Sequence, residues 1–300
     1  MSSRHTQVID VSILIVHTYE GDVLRQTLRG LRRAAPTVAC EVLVIDNNPG
    51  AGMGDILKEE FPWVRHLPQE ENRGFGASMN RGIQASTGRY VLIFNPDIVV
   101  QPGALEELTR FMDENGNVGV CGPKLLNPDG TLQYSCYRQP TLMLPVYRRT
   151  PLGKSERGKI AVDRYLMCDA DHKETMHVDS LIGAALFARR ESLEKVGLFD
   201  ERFFMYYEDS DLCRRFWEGG FPVMYHPTAC MVHYHGRASA QGGLFQQLTS
   251  RFTWIHIHSF IKYWRKYRGR ENPRLTYGRS PKPIVSHGGP VPDSEHQHGF

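Results

Sequence analysis

The 300-residue chain carries 36 Lys and Arg against 33 Asp and Glu, a formal charge of +3, with 41% apolar and 23% charged residues. That length buries a full core, as one large domain or two small ones, and so small a charge with no nucleic-acid motif beside it argues against a nucleic-acid partner. The six cysteines, at 40, 121, 136, 168, 213 and 230, show no CxxC or zinc spacing, which argues against a metal–cysteine centre and fits a reducing compartment.

Residues 1–7 lack the apolar core of a signal peptide, and no apolar run has the length of a membrane span. The expectation is a cytoplasmic protein, soluble or peripheral at the inner face of the cell membrane. Residues 11–16 read as a buried strand and residues 23–31 as a helix. A second buried strand over 41–45 ends in Asp46-Asn47-Asn48-Pro49-Gly50. A short helix over 54–61, a strand over 63–67 and a helix over 74–85 follow. Residues 90–94 form a further apolar strand that ends in Asn95-Pro96-Asp97. Pro102 opens the next helix, with Glu106 and Glu107 close behind. Strand and helix in alternation imply a mostly parallel sheet covered by helices.

The second half changes character. Residues 125–176 read as irregular, with a hairpin at Asn127-Pro128-Asp129-Gly130 and a mobile basic loop over 148–157. Order returns over 178–189, and a helix begins near Asp209. Residues 243–268 read as a C-terminal helix that mixes aromatic and basic residues, among them Phe252, Trp264, Arg251, Lys262 and Arg265. Such a face suits either an anionic membrane surface or packing on the domain or a second copy. Past Gly269 the Pro-, Gly-, Ser- and His-rich composition predicts a disordered tail over 271–300.

Three strand ends in the first half carry polar residues: His17-Thr18-Tyr19-Glu20, Asp46-Asn47-Asn48 and Asn95-Pro96-Asp97. In a parallel sheet they meet at the carboxyl edge, where open α/β sheets bind ligands. Each alone also reads as a turn or a helix cap. A carboxylate such as Asp97 at that edge suits a hard divalent cation that also holds phosphate oxygens. The run from Asn72 to Asn80 is glycine-rich and opens a helix, which favours anions. It is neither a dinucleotide fingerprint nor a P-loop.

The ordered set Thr18-Tyr19, Ile45-Asp46-Asn47, Glu71-Asn72-Arg73-Gly74-Phe75-Gly76, Asn80-Arg81-Gly82 and Asn95-Pro96-Asp97 resembles family 2 glycosyltransferases. Gly183-Ala184-Ala185-Leu186-Phe187, Glu208-Asp209-Ser210-Asp211 and His233-Tyr234-His235-Gly236 continue it. The spelling is most similar to the rhamnosyltransferase-like branch, and the resemblance covers about residues 8–240. It implies a GT-A fold over 1–240, with a nucleotide-sugar half over 8–124, an acceptor half over 125–240 and a C-terminal helical extension over 241–270. It further implies inverting transfer of a sugar, rhamnose among the candidates, from a nucleotide-diphosphate donor to a hydroxyl of a saccharide or lipid-linked saccharide, in cell-surface polysaccharide synthesis.

Residue by residue, the resemblance places Thr18, Tyr19, Asp46, Asn72, Gly74, Asn80 and Asn95 around the nucleotide sugar. It assigns Asp97 and His233 to a Mg²⁺ or Mn²⁺ ion. Glu208-Asp209 matches the motif of the catalytic base, with Asp209 as the base and Asp211 positioning the acceptor. Asn95 stands where many relatives carry Asp, and Glu20 where Asn is usual. Those departures motivate an alternative, a nucleotide-binding or scaffold protein without turnover. A nucleotidyltransferase is disfavoured, because no glycine-rich start follows the first strand. Oligomeric state is left open, a homodimer included.

Overall fold

The computed structural model describes residues 8–234 and 251–277. The apolar runs of the first half become strands β1 (Val11–His17), β2 (Cys40–Asp46), β3 (Val64–Pro68) and β4 (Tyr90–Phe94). Helices α1 (Gly21–Ala34), α2 (Met53–Glu60) and α3 (Phe75–Ala85) connect them. Pairing of β1 with β2, β1 with β4 and β2 with β3 is parallel throughout.

These strands lack a polar stripe because helices cover both faces of the sheet. Ile13 and Ile15 share a core with Leu24, Leu28 and Leu31 of α1. Leu14 and Val16, on the opposite face, share one with Met79 and Ile83 of α3. Each such fully buried side chain contributes roughly 1.5–3 kcal/mol.

The second half comprises β5 (Ile98–Val100), α4 (Ala104–Glu114), β6 (Val120–Leu126), β7 (Leu132–Gln133), β8 (Cys136–Tyr137), α5 (Leu144–Arg149) and α6 (Glu156–Tyr165). After these come β9 (Met176–His177), β10 (Ser180–Leu181), β11 (Ala185–Arg189), α7 (Arg190–Val196), α8 (Glu208–Glu218), β12 (Val223–His233), α9 (Arg251–Tyr267) and α10 (Pro273–Thr276). The main sheet runs β3-β2-β1-β4-β11-β6-β12-β5. β11 enters antiparallel between β4 and β6, while β6 and β12 pair in parallel. The result is the expected helix-flanked, mostly parallel sheet, with a mixed second half.

The hairpin at 127–130 forms between β6 and β7, with Gly130 at φ +82°. The rest of 125–176 departs from the irregular segment expected. The supposed mobile loop over 148–157 is the end of α5, a 3₁₀ turn (Pro151–Lys154) and the start of α6. Two short-range caps build it: Thr150 Oγ1 accepts from Leu152 N, and Ser155 Oγ accepts from Gly158 N. α6 buries only Gly158 and Tyr165, so it carries almost no apolar period to read.

Of the expected C-terminal helix, α9 is described and residues 235–250 lie outside the described residues. α9 is docked on the domain: Phe260, Tyr263 and Tyr267 form a core with Phe203 and Tyr207. Asp211 fastens it. Its fully buried carboxylate accepts from Lys266 Nζ (2.5 Å), Tyr267 Oη (2.8 Å) and Arg215 Nε (2.9 Å). The tail expected to be disordered from 271 is held as far as 277. Asn272 and Arg274 bond to Asp179, and the Tyr277 ring lies 5.2 Å from that of Trp217. Residues 278–300 lie outside the described residues.

Asp211→Ala therefore leaves two cations facing each other across the α8–α9 contact. Arg215 and Lys266 keep part of their hydration, so the expected loss is about 2–3 kcal/mol, below the ~3–5 of a fully buried pair. A urea unfolding midpoint together with protease sensitivity of α9 measures it; an unchanged midpoint contradicts the clamp.

Candidate active site

The carboxyl ends of β1, β2 and β4 lie side by side: His17 pairs with Asp46, and Ile15 with Phe94. Asp46 is fully buried at the end of β2. Its Oδ1 accepts from Asn48 N (2.9 Å), and its Oδ2 accepts from His66 Nε2 (3.0 Å). His66, on β3, was not legible in the sequence, because only strand pairing brings it beside Asp46. Burial chiefly lowers the His17 pKa, His66 adds to the lowering, and Asp46 opposes it. Thr18 is half-buried at the strand end, whereas Tyr19 stands 81% exposed.

The glycine-rich run is set by a polar network. Asn47 Oδ1 accepts from Gln69 Nε2 (2.6 Å) and Ser78 Oγ (2.8 Å). Asn72 Oδ1 accepts from Gly74 N (2.9 Å) and lies 3.4 Å from Asn47 Nδ2. Gly74 has φ +94°, and a Cβ there would sit 2.3 Å from the Phe204 carbonyl oxygen; only glycine permits that approach. Phe75 N donates to the same carbonyl (2.9 Å). Asn80, expected near the sugar, is engaged by the scaffold in this structure. Its amide is buried and bonded both ways to the Phe199 backbone, at 2.9 and 2.8 Å.

Three separate elements hold the Asn95-Pro96-Asp97 segment. Asn95 N donates to Ala184 O (2.9 Å), Thr27 Oγ1 donates to Pro96 O, and Tyr234 N donates to Asp97 O (2.8 Å). Asp97 Oδ1 is buried and lies 3.2 Å from His233 Nε2, at the end of β12. The other ring nitrogen of His233, Nδ1, donates to Gln133 Oε1 (2.6 Å). Gln133 Nε2 in turn donates to Asn127 Oδ1 (3.1 Å), and Asn127 Nδ2 to Thr131 Oγ1 (2.9 Å). The hairpin turn at 127–130 thus orients the imidazole so that the Nε2 lone pair faces Asp97, the arrangement in which a histidine ligates metal.

An oxygen and an imidazole nitrogen converging on one point fit a divalent cation. Among the described residues no third Asp, Glu, His or Cys joins them. A Mg²⁺-like ion would take its remaining positions from phosphate oxygens and water.

Glu208 and Asp209 open α8. The two residues ahead of them, Tyr206 and Tyr207, are both left-handed (φ 70° and 67°), a strained backbone of the kind that clusters at functional sites. Asp209 is half-buried. Its Oδ2 accepts from Gly183 N (2.9 Å) and its Oδ1 from Ser210 N (2.6 Å). Glu208 is buried and its Oε2 accepts no hydrogen bond. Burial raises both pKa values, Glu208 well above the usual range, with the neighbouring Asp209 charge adding to it. Asp211, expected to position an acceptor, is taken up by the α9 clamp.

A carboxyl group whose pKa is higher in the folded than in the unfolded state, about 4.3 for Glu, costs stability as pH rises through that range. Glu208→Gln removes the cost. The unfolding midpoint should rise by about 2–4 °C at pH 7 and gain nothing below pH 4; equal gains at both pH values contradict a carboxyl whose charged form burial disfavours.

The model of the family described as "Glycosyl transferase family 2" matches residues 12–196, a span that ends before Glu208. N-acetylglucosaminyl-diphospho-decaprenol L-rhamnosyltransferase of Mycobacterium tuberculosis (strain ATCC 25618 / H37Rv) is 28% identical over 253 residues, 77% of this chain and 78% of the relative. GalNAc-T7, solved with UDP, GalNAc and Mn²⁺, superposes with a TM-score of 0.61 at 15% identity, covering 87% of this chain and 48% of its own. Mannosyltransferase PcManGT from Pyrobaculum calidifontis, solved with GDP-Man and Mn²⁺, superposes with a TM-score of 0.57 at 17% identity, covering 91% of this chain and 68% of its own.

Proposed function

The chain belongs to glycosyl transferase family 2 and has the GT-A fold, and from that premise we propose that it moves a sugar of the rhamnose type from a nucleotide-diphosphate donor to a hydroxyl of a lipid-linked saccharide, with inversion. The pairing of Asp97 Oδ1 with His233 Nε2 at the strand edge carries this reading. The likeness to a rhamnosyltransferase whose name specifies a diphospho-lipid acceptor supports the choice of sugar and acceptor.

In this reading Asp97 and His233 hold Mg²⁺ or Mn²⁺. Bound there, the cation supplies charge neutralisation for the departing diphosphate. Thr18 and Asp46 face the nucleoside, while Asn72 and Gly74 shape the loop beside it. Asp209 takes the proton of the acceptor hydroxyl as that oxygen attacks the anomeric carbon on the face opposite the diphosphate. Its half-buried position gives it access that buried Glu208 lacks, and its raised pKa makes it a stronger base than an ordinary carboxylate.

No described helix is long and apolar enough to cross a membrane. Peripheral contact is supported by the outer face of α9, where Trp254 and Ile261 are exposed beside Arg251, Arg265 and Arg268.

Two outcomes test the assignment. Asp209→Asn should slow transfer by about 100–10,000-fold and leave Mn²⁺-dependent nucleoside-diphosphate binding intact by calorimetry. Asp97→Ala should lose both. Full transfer by Asp209→Asn overturns the base, and binding without transfer in the wild-type enzyme favours the scaffold alternative. Gln133→Leu, which frees the His233 ring, should weaken Mn²⁺ binding by about 10–100-fold by electron paramagnetic resonance, with the unfolding midpoint of the metal-free protein nearly unchanged. Unaltered affinity contradicts the orienting role.

A further inference from the structure

We propose that Arg148, Arg149 and His256 form an anion seat for the phosphate of the acceptor, apart from the donor diphosphate at Asp97. This rests on the reading of the chain as a transferase acting on a lipid-linked saccharide. Arg149 is half-buried, and its guanidinium Nη1 donates to Thr253 Oγ1 of α9 (2.9 Å). The groups acting on it are Tyr206, Tyr207 and Arg148, none of them a carboxylate, and burial lowers its pKa. Among the described residues neither Arg148 nor Arg149 forms an ion pair with an acid. Two adjacent cations, one partly stripped of water and both without a counter-charge, cost stability unless an anion joins them.

His256 supplies the second observation. Its ring lies 5.0 Å from Tyr206 and 5.2 Å from Tyr207, and its Nδ1 is buried without a hydrogen bond. Burial and the two arginines push its pKa down to about 3, so the ring is neutral and adds one donor. An anion is the ligand that meets two guanidinium groups and a neutral imidazole together.

The position joins this seat to the chemistry. Arg148 lies 5.6 Å from the Tyr165 ring, which stacks on Tyr137 at 5.0 Å. Asp209 acts on the same two tyrosines, with a sign opposite to that of Arg148. The pair lies at the end of α5, between β8 and β9, in a different part of the fold from the strand ends that carry Asp46 and Asp97. Exposed Leu142 and Met143 precede the pair, and exposed Trp254 follows Thr253. A phosphate or diphosphate carrying an apolar chain fits both surroundings: charge at the arginines, hydrocarbon beyond them.

Geranyl diphosphate serves as the probe, titrated by calorimetry into the full chain in metal-free buffer, with geranyl glucoside as the phosphate-free control. Wild type should bind the diphosphate and not the glucoside. Arg149→Ala and the exposed-site variant Arg148→Ala should each weaken binding by about 10–100-fold, with Mn²⁺-dependent nucleoside-diphosphate binding unchanged. Equal affinity in wild type and both variants overturns the seat, as does displacement of geranyl diphosphate by nucleoside diphosphate. Loss of binding to phosphatidylglycerol vesicles with geranyl diphosphate binding intact also overturns it, and makes the pair a membrane contact. If the seat binds while no nucleotide sugar is turned over, the functional reading fails and the seat stands.

Discussion

Two consecutive backbone groups tie together the segments that carry the two carboxylates proposed to act, Asp97 and Asp209. Gly183 donates its N–H to Asp209, and the Ala184 carbonyl accepts from Asn95 N. The antiparallel strand β11 begins at the next residue and pairs with β4 along its whole length. This strand is the seam between the two halves of the molecule. It places the segment carrying Asp97 and the helix carrying Asp209 on either side of one turn of chain. A Cβ on Gly183 would sit 3.3 Å from the Asp209 Cβ, so the approach is already tight. The distance between Asp97 and Asp209 is a property of sheet register and not of flexible loops.

The same economy appears at His233. A histidine ligand needs its second nitrogen engaged, or its ring and tautomer are undefined. Here the engagement comes from Gln133, which the hairpin turn holds through Asn127. The second Asn-Pro-Asp tripeptide is thus a turn in conformation and, through Gln133, a support of the His233 ring. Strain is stored nearby, in the two left-handed tyrosines before Glu208. The Phe260 and Tyr263 rings of α9 pack against Tyr207, and the Ser259 hydroxyl bonds to the Met205 carbonyl. The C-terminal helix therefore bears on the backbone that leads into Glu208 and Asp209.

Much of this was legible in the sequence, for a physical reason. Strands buried on both faces write themselves as unbroken apolar runs, so β1, β2 and β4 and their polar ends were readable. The ordered motifs pointed to Asp97, His233 and Asp209, of which the fold brings Asp97 and His233 within 3.2 Å. What stayed hidden was hidden by tertiary pairing. His66 reaches Asp46 through a parallel neighbour, and Gln69 and Gln133 are ordinary polar residues until the fold brings their partners. The scaffold bonds of Asn80 and Asp211 were equally hidden, because a buried amide or carboxylate can serve the scaffold as readily as a ligand. One closes on the Phe199 backbone, the other on Lys266 and Tyr267. α5 and α6 were missed because their signals are two capping hydroxyls and hardly any apolar period.

In the proposed site one carboxylate and one histidine, held by separate strands, together hold the cation despite the asparagine at 95. Anomalous diffraction from crystals grown with Mn²⁺ and a nucleoside diphosphate tests it most directly. A manganese peak bonded to Asp97 Oδ1, His233 Nε2 and diphosphate oxygens is expected, with the Gln133 contact to His233 preserved. A peak bound by Asp97 without His233, or seated at Glu208 and Asp209, would contradict it.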